Sequence, residues 1–202
     1  MTLNTPESYR TALIDALNSI NSSAVNSLAD AFLNAHEQGK RILTFGNGGS
    51  GATASHAAGD FLKGASYGLE KRFRMICLND NMPSLMAIAN DIGYSDIFLE
   101  PMKNFLEPGD LVIGISGSGN SENVLKAMEY ARSKGAMTVG MCGFGGGALK
   151  ECADLVIHAQ VSDMEVTEDV HMAVFNMVKK ICMHRLMGTD PSMGATYDQR
   201  IS

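Results

Sequence analysis

The first forty residues carry two stripes of apolar positions at helical spacing. Ala12, Leu13, Ala16, Leu17 and Ile20 share one face, and Ala24, Leu28, Phe32 and Ala35 form a second. Recurrence every three or four residues predicts amphipathic helices. Two helices are therefore expected over 8–38, the second capped by Ser22 or Ser23 and ended by Gly39. Beyond them the period shortens. Five short apolar runs, 41–45, 73–78, 110–115, 136–142 and 155–158, read as strands. Helical stretches separate them: one to about Lys63, then 83–90, 96–105, one through Lys134, a short one after Gly147, and a long one over 165–186. Apolar strands alternating with helices predict an α/β domain with a parallel sheet covered on both faces.

Composition narrows the class. The 202 residues are 45% hydrophobic and 19% charged, enough to bury one sizeable core. Residues 1–202 read as a single domain, with N-terminal helices over 8–38 and a sheet core and C-terminal helix over 41–187. The polar stretch 189–202 is expected to be a mobile tail. Net charge is −6 with Lys and Arg scattered, so no basic footprint points to direct nucleic-acid binding. No apolar run is long enough to span a membrane, and MTLNTPESYR lacks the basic-then-apolar order of a signal peptide. A cytoplasmic protein is expected. Four cysteines without CxxC spacing read as reduced core residues, and the fourteen methionines as core filling.

The chemistry is concentrated in two loops, each directly after a strand. Gly46-Asn47-Gly48-Gly49-Ser50-Gly51 joins the first strand to a helix. Glycines allow close backbone approach, and the N–H groups opening the helix suit an anion. The loop lacks the Gly-Lys-Ser/Thr of a Walker loop and the spacing of GxGxxG. Ser116-Gly117-Ser118-Gly119-Asn120-Ser121 places four hydrogen-bonding side chains in six residues after the third strand. Hydroxyls and backbone donors at a helix start form a phosphate cradle without a lysine, and Ser121 is expected to cap that helix.

GNGGS and SGSGNS, with Ala89-Asn90-Asp91 between them, resemble the SIS (sugar isomerase) family, and within it the bacterial phosphoheptose isomerases. The resemblance covers about 8–187. It implies a three-layer flavodoxin-like fold with a five-stranded sheet, a homotetramer with sites near subunit boundaries, and a phosphorylated sugar as ligand. Carried over by position, it implies sugar-phosphate contacts from Asn47, Gly48, Gly49, Asn90, Asp91, Ser116, Gly117, Ser118 and Ser121, with Ser50 an added donor. Gly117 stands where a hydroxyl residue is usual.

For catalysis the resemblance implies a His and a carboxylate one helical turn apart, here His56 and Asp60, with Asp60 as base. Glu168 matches a further ligand position, so zinc is implied at His56, Asp60 and Glu168. Asp60 replaces the usual Glu, Asn176 the usual zinc-binding His, and Thr53 the usual Asp. The second acid/base is expected to be Glu168, or His171 one turn after it, because His titrates near neutrality. Three readings stay open: an aldose–ketose isomerase acting on sedoheptulose 7-phosphate, a non-catalytic adaptor like the replication-initiator-associating SIS proteins with a protein partner, and a phosphosugar sensor.

Overall fold

The computed structural model describes residues 3–188, so the tail expected over 189–202 lies outside the described residues. Two helices, α1 (Pro6–Ser19) and α2 (Ser22–Gln38), precede the sheet. Thr5 caps α1 in a reciprocal box with Ser8. Asn21, rather than Ser22 or Ser23, caps α2: its side-chain oxygen accepts from the N–H groups of Ser23 (2.9 Å) and Ala24 (3.3 Å). Gly39, left-handed at φ 66°, ends the helix as expected.

The remaining elements are β1 (Arg41–Gly46), α3 (Gly48–Gly59), a π-helical turn (Asp60–Gly64), β2 (Arg74–Cys77), α4 (Met82–Asp91), α5 (Leu99–Phe105) and β3 (Leu111–Ser116). After them come α6 (Glu122–Ser133), β4 (Met137–Cys142), α7 (Gly147–Cys152), β5 (Leu155–His158) and α8 (Met164–Met187). The single helix expected over 96–105 is instead a 3-10 turn, Tyr94–Asp96, followed by α5.

All five strands are parallel, in the order β2-β1-β3-β4-β5. This is the flavodoxin-like order, whose direction of winding reverses between β1 and β3. Strand side chains alternate between two cores. Ile42, Ile113, Ile115 and Met141 meet α2, α3, the π-helical turn and α8 through Phe32, Ala57, Phe61 and Val174. Leu43, Phe45, Val112 and Cys142 meet the opposite layer through Phe98, Val124, Met128 and Leu149. A third cluster seats α1 on α8, with Tyr9 donating to Asp169 at 2.7 Å. Burial pushes the thiols of Cys77 and Cys182 up to about 12 and that of Cys142 to about 11, so these are inert packing groups. No helix among the described residues is long and apolar enough to cross a membrane.

Candidate active site

Because β1 and β3 are neighbours at the reversal point, the loops that leave their carboxyl ends face each other. Between them lies a groove of about 250 Å³. Asn47, Gly48, Gly49 and Ser50 form one wall, and Ser116, Gly117, Ser118 and Ser121 the other. Met164 and Glu168, from the first turns of α8, close the third side. A roomier cleft beside α1, about 320 Å³, is lined by Asp15 and Asp163 and repels anions. The rim groove has the opposite character, since two twelve-residue helices, α3 and α6, begin at it. Their N-termini supply N–H groups and positive dipole ends.

The second loop gathers its hydroxyls. Ser116 Oγ lies 3.0 Å from Ser121 Oγ and 3.5 Å from Ser118 Oγ. Ser121 occupies the cap position of α6 but makes no capping bond; its hydroxyl turns toward Ser116 instead. A phosphate seated here would meet three rotatable donors at a helix start.

In the first loop the helix begins earlier than its glycines suggest, at Gly48. Asn47 does not project a free amide into the groove. It exchanges two 2.9 Å hydrogen bonds with Asn123, in the first turn of α6, and its oxygen also accepts from the Tyr94 hydroxyl at 3.0 Å. Asn47 therefore ties the two loops together. Asn79 braces the end of β1 through the N–H (3.2 Å) and C=O (2.8 Å) of Gly46.

The side chains of α8 use the space the loop glycines leave. A Cβ on Gly49 would collide with the Glu168 carboxylate, and one on Gly117 with the Met164 sulfur. Among the described residues, Glu168 is thus the one titratable side chain lining the groove. Its pKa is raised above the usual carboxylate value, first by burial and then by Glu165 and Asp169.

Asp60 and His56 lie elsewhere within one chain. Helices α3 and α8 run side by side in step: Gly49 meets Glu168, and eleven residues on, Asp60 meets Lys179 at 2.8 Å. Eleven residues of helix separate Asp60 from the groove by about 16 Å. His56 Nε2 is 3.6 Å from Asp60 Oδ2, as the four-residue spacing predicts. The three residues expected to hold zinc therefore do not meet, and the described residues contain no group of three or more His, Cys, Asp or Glu side chains arranged to hold an ion. Asn176 is exposed on α8, and Thr53 is buried at 3% exposure.

His171 is not at the groove either. It is fully buried against β4, with Nε2 3.1 Å from the Cys142 carbonyl and Nδ1 without a partner. Burial drives its pKa down to about 4, so it stays neutral and enclosed rather than acting on a ligand. Asn90 and Asp91 lie exposed at the end of α4, bonded to each other at 2.7 Å and outside the groove lining.

Sequence reading missed four contributors: Asn123, Tyr94, Met164 and the segment 143–149. That segment buttresses the second loop, with Gly143 N–H donating to the Gly117 carbonyl (2.8 Å), Leu149 N–H to Gly119 (2.9 Å) and Ala148 N–H to Asn120 (3.0 Å). Its glycines were a visible signal. Asn123, only 2% exposed, was legible as a polar residue beside the apolar Val124 and Leu125.

Comparison with known proteins gives a consistent picture. The family described as SIS domain matches residues 8–143. A phosphoheptose isomerase of Chlorobaculum tepidum is 33% identical over 184 residues, 90% of this chain and 88% of that protein. One of Trichlorobacter lovleyi is 34% identical over 184 residues, 88% of this chain and 90% of that protein. The solved phosphoheptose isomerase of Francisella tularensis superposes with a TM-score of 0.81 at 26% identity, covering 88% of this chain and 94% of its own.

Proposed function

Because this chain belongs to the SIS domain family, we propose that the rim groove interconverts a ketose phosphate and an aldose phosphate, with sedoheptulose 7-phosphate as the first substrate. The observation that carries this reading is the placement of Glu168 in the same groove as the three-serine cradle. An anion site alone would make a sensor; a partly buried carboxylate beside it supplies a base.

The phosphate sits on Ser116, Ser118 and Ser121 at the start of α6, and the reacting end of the sugar reaches the first loop. Glu168 takes a proton from C1 of the ketose, leaving an enediolate whose charge on O2 faces the N–H groups opening α3. The same carboxyl returns a proton to C2, while the hydroxyl proton passes from O1 to O2 through solvent, giving the aldose. A carboxylate with a raised pKa suits a group that must both accept and return a proton. Asp60, expected as the base, has no route to this groove within its own chain.

The test is incubation with sedoheptulose 7-phosphate, following the aldose phosphate by NMR in deuterated water. Turnover with deuterium at C2, lost in Glu168→Gln, supports the proposal. A bound but unconverted sugar phosphate supports the sensor instead. We also propose self-association. Met82, Met86, Ile92 and Tyr94, on and just after α4, are each around 60% exposed, apolar surface that a second copy would cover.

A further inference from the structure

The cluster at the far end of α3 already contains a cation. Lys179 Nζ lies 2.8 Å from Asp60 Oδ2, the same oxygen that faces His56 Nε2 at 3.6 Å. The lysine side chain is only 18% exposed, and it reaches Asp60 by crossing Gly64: a Cβ there would stand 2.9 Å from both Lys179 Cε and Nζ. The chain makes room for this crossing in its backbone. Residues Asp60–Gly64 form a π-helical turn, closed by the Ala65 N–H on the Asp60 carbonyl at 2.9 Å. Such widened turns are rare and recur at functional sites.

We propose that Lys179 is the resident cation of the His56–Asp60 cluster, and that it excludes a divalent metal there. An incoming zinc ion would have to displace an ammonium group from the carboxylate it needs. Within one chain it would gain one imidazole and one carboxylate, short of the three protein ligands of a catalytic zinc site. While Lys179 stays, an ammonium and a divalent ion would stand against one carboxylate and repel each other. Lys179 also fixes the Asp60 rotamer and neutralises its charge, the work a metal would otherwise do. Lys179 is in this sense a positioning residue. The inference does not depend on the isomerase reading, because its readout is metal content rather than turnover.

The experiment loads the full-length protein with zinc, dialyses it against metal-free buffer, and measures retained zinc by elemental analysis and melting temperature with and without the ion. Wild-type protein is expected to retain none and to melt at the same temperature. Lys179→Met keeps the aliphatic stem and removes the charge; it should bind zinc about tenfold or more tightly than wild type. Adding Asp60→Asn should abolish that gain, and Lys179→Arg, which restores a cation, should behave as wild type. Stoichiometric zinc in the wild-type protein that disappears in Asp60→Asn would overturn the proposal. So would equal zinc affinity in Lys179→Met and wild type. The wild-type measurement decides even if a variant folds poorly.

Discussion

Asn47 and Asn123 exchange a pair of hydrogen bonds, each 2.9 Å, across the line where the sheet reverses its winding. One belongs to the glycine loop after β1 and the other to the first turn of α6. The amide pair therefore sets the width of the groove in which the two loops meet. Removing either side chain strips both inter-amide bonds from its partner, which is buried at Asn123 and half-buried at Asn47. Asn47→Ala and Asn123→Ala should each cost about 1–3 kcal/mol of stability. The double variant should cost less than the sum, because both changes break one interaction. Chemical denaturation of the four proteins measures the coupling; strict additivity would show that the pair does not bridge the loops.

The serine cradle makes a separate prediction. A hydroxyl bonded to a phosphate contributes about 1.5–3 kcal/mol. Ser116→Ala and Ser121→Ala should weaken sugar-phosphate binding by that scale while leaving the affinity for an unphosphorylated sugar unchanged. Their effects should be less than additive, since the two hydroxyls stand 3.0 Å apart and orient each other. Calorimetric titration distinguishes this from a general loosening of the groove, which would weaken both ligands.

Gly49 and Glu168 test the assignment of the base. Ala at 49 would push the carboxylate away from the first loop without removing it. Gly49→Ala should therefore lower kcat by orders of magnitude, as misplacement of a reacting group does. Binding at the serine cradle should change little. Equal losses in kcat for Gly49→Ala and Glu168→Gln, with intact sugar-phosphate affinity in both, are the expected result. Undiminished turnover in Glu168→Gln would move the base elsewhere.

His171 predicts how stability depends on pH. Its folded pKa, about 4, lies below the unfolded value of 6.5, so between these pH values the unfolded chain binds the extra proton. Stability should rise with pH across that window, and acidification from 6.5 to 4 should cost on the order of 2–3 kcal/mol from this group. Glu168 acts in the opposite sense, because its raised pKa favours the folded state as pH falls through its titration. It is only partly buried, so its slope is smaller. Replacing His171 with Gln should flatten the dependence between pH 4 and 6.5. An unchanged slope would assign the acid sensitivity to other groups.

Much of this was legible in the sequence, for identifiable reasons. Short apolar runs placed all five strands within a residue or two, because parallel strands such as Leu111–Ser116 are buried on both faces. The two loops stood out because small donors were concentrated where strands end. What the sequence did not carry was distance across the fold. Spacing of four put His56 beside Asp60, but no local pattern shows that α3 and α8 run in step, so that Lys179 takes Asp60 and Glu168 takes the groove. The same limit applied to His171. One helical turn from Glu168 reads as a shared site, yet α8 is covered on two sides, and that turn points His171 into β4. The cap of α2 fell to Asn21 instead of Ser22 or Ser23, and Ser121 holds the cap position of α6 without a capping bond, because several side-chain acceptors stood within reach of each helix start and only geometry chose among them.

The most direct test is a structure of the protein with sedoheptulose 7-phosphate. The account predicts the phosphate within hydrogen-bond reach of Ser116, Ser118 and Ser121, with C1 and C2 about 3–3.5 Å from the Glu168 carboxylate. A phosphate bound outside the three serines, or a carboxylate turned away from both carbons, would contradict it.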